Sequence, residues 1–498
     1  MEMNSKGNTN DGFEDYKDED PKTPASKLPP VARPKQLTAE ERREKFHILK
    51  NIIIISTAFF LLFSSFQSMA NLQSSINPGS GTIALAVLYA ALVVSCAFIP
   101  TLLIKKLTVK WTMALCVLGY SSYIAAQFYP RHFTLIPTAI ILGLGAAPMW
   151  SSKCTYLTQV GKRYGEIVGE NSEVIITRFF GLFFLFFQSS QVIGNLISST
   201  VLSQGESPRR TEEQLQLCGV NFCPHHNLSS GNVTTIDPPE QSKIYTMASI
   251  YLVLSLLASV IIASFVDPLT RFVDETKDAS STGKSGLQLL VATFNHMRHP
   301  FQLLIIPLTI WSGVEQGYIG ADYTAAYVSC GLGVHMVGYT MICFGVCDAI
   351  CSISFTPLVK IVGRLPVFTL AAILNAAAII IMFTWRPTPD NLAMFFIVPA
   401  LWGTADAVWQ TQINALYGVI FPGESEAAFS NYRLWESIGY IINYATHSSL
   451  CNTDKLFIVV GFLVIGMIGY YIVELIDRMN WLPKNERGIA KPIDKICS

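Results

Sequence analysis

Of 498 residues, 51% are hydrophobic and only 14% charged, well below the ~25% charged content of an ordinary soluble domain. So few charges cannot cover a soluble surface, and the mean hydropathy of +0.39 agrees. The 35 basic and 35 acidic residues balance to a formal net charge of zero, which argues against the basic face that nucleic acid requires.

Residues 1–45 are charged and Pro-rich (PKTPASKLPPVARP), which predicts a disordered cytoplasmic tail. The opening MEMNSKGNTNDGFEDYKDEDP holds no apolar run, so a cleaved signal peptide is not expected. Its last part, LTAEERREKF, sets Thr38 three residues before Glu41. That spacing is a capping box, and it predicts a short amphipathic helix ahead of the membrane.

A bilayer core of ~30 Å takes ~20 mostly apolar residues per helix. Twelve stretches qualify: about 48–70, 82–104, 110–129, 133–157, 174–202, 244–266, 300–320, 334–358, 366–385, 392–419, 428–448 and 455–477. The runs are continuous rather than alternating, so helices are expected, each satisfying its own backbone in lipid. The predicted fold class is therefore all-α: a polytopic membrane protein with twelve transmembrane helices in two six-helix halves, 46–266 and 300–478. A cytoplasmic central loop, 267–299, separates the halves, and a cytoplasmic tail, 479–498, follows.

Basic residues orient the bundle. Lys105, Lys106, Lys110, Lys162, Arg163, Lys360 and Arg364 fall in one set of short loops, joined by Arg271, Lys277, Lys284 and Arg298 in the central loop. The opposite short loops hold Arg131, Arg386 and Lys455. Both termini are thus expected in the cytoplasm. The long loop 203–243 then lies outside, and it carries both N-x-S/T sequons, at Asn227 and Asn232, which are expected to be glycosylated. The same loop contains Cys218 and Cys223, as CGVNFC. An oxidising compartment favours a disulfide there, although spacing alone establishes no pairing. His225 and His226 leave a zinc site as the alternative; no metal and no cofactor are otherwise expected. The other nine cysteines read as small core residues.

Three strings carry a resemblance: LLFSSFQSMANLQSSIN in the first span, ILGLGAAPMWSSKCTYLT in the fourth and GLFFLFFQSSQVIGNLISS in the fifth. They resemble the Unc-93-like family, a divergent branch of the major facilitator superfamily, over about 48–480. The superfamily's G-x-x-x-D-R-x-G-R motif is reduced here to IKKLTVKW, without its aspartate or glycines, and VKIVGRLPVF keeps only a Gly-Arg. The resemblance implies a family better known for regulating other membrane proteins than for transport. One member acts with a two-pore potassium channel, and another escorts nucleic-acid-sensing receptors.

In that fold the first, fourth, seventh and tenth helices line a central cavity, and each has polar groups here. They are Ser64, Ser65, Gln67, Asn71 and Gln73; then Ser151, Ser152 and Lys153; then Trp311, Glu315 and Tyr318; then Asp406, Gln410 and Asn414. The last two sets repeat at helical spacing on one face each. Ionisable groups in lipid cost ~2.5–3.5 kcal/mol on insertion scales, so each needs a partner, a cavity or a route to the interface. Lys153, about a turn before its span ends, is expected to snorkel, with pairing to Glu315 or Asp406 as the alternative. Upstream, Gly143 and Ala147 predict a close helix approach. Asp348 sits mid-span beyond snorkelling reach and is a candidate for proton or cation coupling, Arg178 lies early in the fifth span, and Arg433 with Glu436 reads as a structural pair.

No P-loop, H-E-x-x-H or local nucleophile motif is present, so an enzyme is not expected. The reading is a non-enzymatic regulator of another integral membrane protein, most simply of a potassium channel. A secondary transporter of a small solute or ion, and a trafficking chaperone, are the alternatives. Expected partners are the lipid bilayer and an integral membrane protein, with no nucleic acid; oligomeric state is not readable. The cell membrane is the expected residence, with endomembrane compartments as the alternative, and Tyr164-Gly-Glu-Ile resembles a sorting signal.

Overall fold

The computed structural model describes residues 38–203, 211–224, 236–237, 239–272, 291, 294–421 and 425–479. Among them the chain is helical, with no strand. The expected glycosylation sites Asn227 and Asn232, the histidines 225 and 226, most of the N-terminal tail, most of the central loop and nearly all of 479–498 lie outside the described residues.

Helix α1 (Ala39–Ile76) begins at the expected capping box, Glu41 N–H donating to Thr38 Oγ1 at 3.2 Å and Thr38 N–H to Glu41 Oε2 at 2.8 Å. It runs unbroken through IIIISTAFFLLF, so the lead-in and the first apolar stretch form one rod. Then come α2 (Ser80–Ala125), α3 (His132–Val168), α4 (Ser172–Leu202), the one-turn α5 (Glu212–Gln216) and α6 (Gln241–Phe265). The second half holds α7 (Pro300–Gly317), α8 (Met336–Val362), α9 (Arg364–Thr384), α10 (Met394–Val408), α11 (Asn414–Ile420), α12 (Ser425–Thr446) and α13 (Asn452–Met479).

Seven of these rods, α1, α3, α4, α6, α8, α9 and α13, are both long and apolar enough to cross a membrane by length and composition. The others are interrupted or polar. Helix α2 breaks at Thr108, whose φ of 66° no β-branched residue adopts without strain. Helix α7 passes into a π-helix, Tyr318–Ser329, and a π-segment, Trp409–Ile413, joins α10 to α11. Helix α12 carries Asn431, Arg433, Glu436 and Asn443.

The apolar side chains form two cores. One collects α1 up to Phe66 with α2, α3, α4 and the end of α6. The other collects the second half, and it also takes in Met69, Leu72, Ile76, Ile124, Val201, Leu202 and Tyr251 from the first. The first core also takes in Ala321 and Tyr444 of the second half, so the halves share apolar interior in both. Backbones meet closely where glycine permits it. A Cβ on Gly143 would run into the Leu88 carbonyl of α2, as the small-residue spacing predicts, and one on Gly313 into the Glu436 carbonyl of α12.

Two disulfides also link the halves, and they correct the expected pairing. Cys218 bonds to Cys330 and Cys223 to Cys451, so the two cysteines of CGVNFC do not join each other. Cys330 and Cys451 were expected as plain core residues; they are bridge partners instead. The reason is docking: Asn452 donates its backbone N–H to Phe222 O at 2.8 Å and its amide to Gly219 O at 2.9 Å, and Thr453 Oγ1 donates to Val220 O at 2.7 Å. These contacts lay 211–224, a first-half loop, on the second half.

Candidate functional site

Four of the expected polar groups, Glu315, Asp348, Asp406 and Gln410, lie where α7, α8, α10 and α12 meet. Glu315, on α7, is fully buried, and its Oε2 accepts the Trp402 indole N–H of α10 at 2.5 Å. Its Oε1 has no hydrogen-bond partner. Asp406, on α10, is 3% exposed. Asp406 Oδ1 accepts from the Gln316 and Gln410 amides, each at 3.2 Å, and Gln410 also donates to Ser312 Oγ at 3.0 Å. Gln316 in turn accepts the Tyr440 hydroxyl.

Asp348, on α8, faces the first half: Gln188 of α4 donates to it at 2.9 Å and Ser352 at 3.2 Å. On α12, Arg433 donates to Glu436 at 2.7 Å, the expected pair, and Tyr432 OH donates to the other carboxylate oxygen at 3.0 Å. The Arg433 side chain is 61% exposed although its partner is 7% exposed, so this pair marks the outer edge of the polar cluster.

Some expected members are placed elsewhere. Asn414 turns to the backbone, donating to Gln410 O at 2.6 Å. Gln410 still reaches Asp406, and the π-segment Trp409–Ile413 shifts the helical phase before Asn414. Asn71 bonds to Asn195 at 3.3 Å, and Ser74 and Ser75 reach Thr324 and Ser329 across the halves. Gln67, one turn before Asn71, is half-buried. Arg178 makes an exposed pair with Glu170 at 2.8 Å.

Lys153 is the main correction. It neither snorkels nor pairs with Glu315 or Asp406. It is 1% exposed, and its Nζ sits over the rings of Trp150, Phe180, Phe183 and Phe184 at 4.8, 5.1, 4.2 and 5.2 Å from their centroids. The aromatic run GLFFLFF of α4 closes over the amine, and ring faces replace water by cation–π attraction.

A second buried network was missed by reading span seven as ending at 320. Asp322 accepts from Lys455 Nζ at 2.6 Å and from Asn443 at 2.9 Å, and pairs with His447 Nδ1 at 2.7 Å. All three ionisable groups are under 5% exposed. Asp322 lies seven residues after Glu315, two turns along the same rod, which was the available signal.

At the opposite end from the disulfides, Asp267 gathers Lys50 at 2.9 Å, Asn51 at 3.0 Å, His47 at 3.1 Å and Arg271 at 3.2 Å. Partial burial works against its charge, but the donors outweigh it and hold the carboxyl down to about 2. Arg163 clasps Glu44 through two bonds of 2.7 and 2.9 Å, so α1 is fastened to both α3 and the segment after α6.

The family model described as "Ion channel regulatory protein UNC-93" matches residues 72–471. The chain belongs to the UNC-93 family. Among UNC-93 relatives, the protein unc-93 homolog A of Xenopus laevis is 46% identical over 435 residues, covering 86% of this chain and 94% of that one. The human homolog A is 41% identical, covering 87% and 94%. The Caenorhabditis elegans protein named "Putative potassium channel regulatory protein unc-93" is 33% identical, covering 89% of this chain and 63% of its own. Among solved structures, a mutant of the nucleoside transporter NupG superposes with a TM-score of 0.60 at 11% identity, over 86% of this chain and 98% of that one. A D-xylose–proton symporter gives 0.56 at 12% identity, over 85% and 97%. At such identity these likenesses show the fold: this UNC-93 chain is a multi-span membrane protein with the major facilitator architecture.

Proposed function

We propose that this chain is a non-enzymatic accessory regulator of a potassium channel, and so of potassium ion movement, acting by contact within the bilayer. The observation that carries the reading is family membership: the matching family is described as ion channel regulatory, and a relative 33% identical over 89% of this chain bears the potassium-channel name. Residence in the cell membrane, twelve crossings, cytoplasmic termini and glycans on Asn227 and Asn232 belong to the same proposal. Their support is the one-sided distribution of lysine and arginine and the two sequons of the 203–243 loop.

The test is recording of potassium currents in native cells with and without the protein, alongside surface abundance of the candidate channel. Altered current per channel is the expected result. Altered abundance with unchanged single-channel behaviour would instead favour a trafficking escort, and no change in either would sink the regulator reading.

A second reading, transport of a small solute or ion, draws on the buried carboxyls Glu315, Asp348 and Asp406 inside a transporter fold. Solute uptake into proteoliposomes that is abolished by Glu315→Gln or Asp406→Asn would support it.

A further inference from the structure

We infer that a furrow beside the Thr108 break binds one anionic phospholipid, with an acyl chain in the furrow and the phosphate held by Lys105 and Lys106. The furrow holds about 220 Å³. Its walls are Leu103 and Leu107 before the break, Leu115 and Gly119 after it, and Ile141 and Gly145 of α3. Leu115 and Ile141 are roughly half exposed, so this apolar furrow opens sideways, away from the bundle. A Cβ on Gly119 would stand 3.3 Å from the Ile141 carbonyl, and one on Gly145 3.4 Å from the Cys116 carbonyl. The helices therefore close its floor almost backbone to backbone.

Size decides the shape of the ligand. From Val109 to Gly119 the helix rises through ten residues, ~15 Å at 1.5 Å each, half of a ~30 Å hydrocarbon core. The furrow thus spans one leaflet. Its volume falls below the ~300–1,000 Å³ of an enclosed small-molecule site, which suits a single chain rather than a whole ligand. Trp111 is exposed, and Lys110 Nζ lies 5.5 Å from its ring centroid, an anchor of the kind that sits at a membrane interface.

Charge decides the headgroup. Helix α2 has no acidic residue in its 46 positions. Lys105 and Lys106 are exposed, and neither has an acidic partner among the described residues. Nearby acids are already taken: Glu44 and Glu166 by Arg163, Asp267 by Lys50 and Arg271. Two adjacent ammonium groups next to Leu107 complement a net-negative phosphodiester better than a zwitterion carrying its own cation. With the termini cytoplasmic, as proposed above, this is the leaflet where anionic lipids collect. The positive φ of Thr108, whose carbonyl accepts from Thr112 Oγ1 at 2.7 Å, fixes the turn that joins the lysines to the second wall.

The site goes beyond the regulator reading and its test needs no channel. Full-length protein in detergent is titrated with dioleoyl phosphatidylserine, dioleoyl phosphatidylcholine or chain-free glycerophosphoserine, and retained molecules are counted by native mass spectrometry. The wild type retains one phosphatidylserine in preference to phosphatidylcholine and no glycerophosphoserine. The Lys105→Gln, Lys106→Gln double variant lowers that preference by roughly five-fold per lysine. Arg42→Gln with Arg43→Gln, which removes the same charge from α1, leaves it unchanged. Leu115→Trp fills the furrow and lowers retention of both phospholipids; if it does not fold, Ile141→Trp takes its place. Equal retention of the two phospholipids by the wild type, equal effects of the lysine and arginine pairs, or full retention in the filled variant overturns the proposal. So does glycerophosphoserine bound as well as the lipid, which would make a phosphate site alone. Displacement by cholesterol would give the furrow to a neutral ligand, and retention of no phospholipid would leave it to a partner's helix; either sinks the proposal. Unchanged potassium currents beside an intact lipid preference would count against the regulator reading alone.

Discussion

At the scale of single residues, the cost of burying charge decides the arrangement. Asp322 and Lys455 are both under 5% exposed and meet at 2.6 Å. Removing one partner of such a pair strands the other, at about 3–5 kcal/mol, whereas removing both costs far less. Lys455→Met should therefore lower the thermal unfolding midpoint strongly, and the Asp322→Asn, Lys455→Met double variant should recover much of the loss; an additive double loss would refute the pairing. Asp267 behaves differently because it is partly solvated. Its folded carboxyl sits at about 2, below the ordinary ~3.9, so its stabilisation is full above about pH 4 and fades as pH falls towards 2. Asp267→Asn should flatten that acid-side loss in unfolding midpoints measured between pH 5 and pH 2.5, and a loss as steep as the wild type's would exclude Asp267 as its source.

At the scale of helices, α7 is the rod on which the second half is assembled. Gly313 lets α12 approach until the Glu436 carbonyl occupies the space a Cβ would need, and Gly439 answers it from the other side against Ile310. Gly313→Ala must push α12 away and loosen the Tyr440–Gln316 contact between the two helices. Overpacking of this kind costs ~1–3 kcal/mol. The unfolding midpoint of the variant should drop by several degrees, at roughly 2–4 °C per kcal/mol. A variant as stable as the wild type would show that the helices are not in backbone contact. Much of this element scale was legible: the capping box at Thr38, the small residue at Gly143 and the Arg433–Glu436 spacing all rest on contacts within one helix or one residue size. What escaped were the π-segments. Their phase shift sends Asn414 to the backbone, and the π-helix that continues α7 carries Asp322 past the expected end of its span. Hydrophobic periodicity has no marker for a π-turn.

For the whole molecule, the disulfides make a prediction that sequence spacing did not. Cys218 and Cys223 belong to a first-half loop, yet their partners Cys330 and Cys451 lie in the second. A protease site placed in the central loop, between residues 273 and 290, would cut the chain between its halves. Unreduced, the cut protein should still migrate as one species of 55.0 kDa before glycan mass is added. Reductant should release two fragments. Separation without reductant would overturn the connectivity.

Composition and pattern alone determined that the chain is helical, that it belongs in lipid, and which residue types would be forced to find partners there. Those properties follow from local chemistry: apolar run length, backbone satisfaction within each helix, and the expense of a charge in hydrocarbon. Tertiary structure alone decided who the partners are. Lys153 went to a box of rings rather than to an acid, Glu315 went to the Trp402 indole, and each cysteine of CGVNFC went to the other half. Partnership depends on which helix faces meet, and that is set by backbone approach at glycines and by helical phase, quantities summed over the whole packed chain.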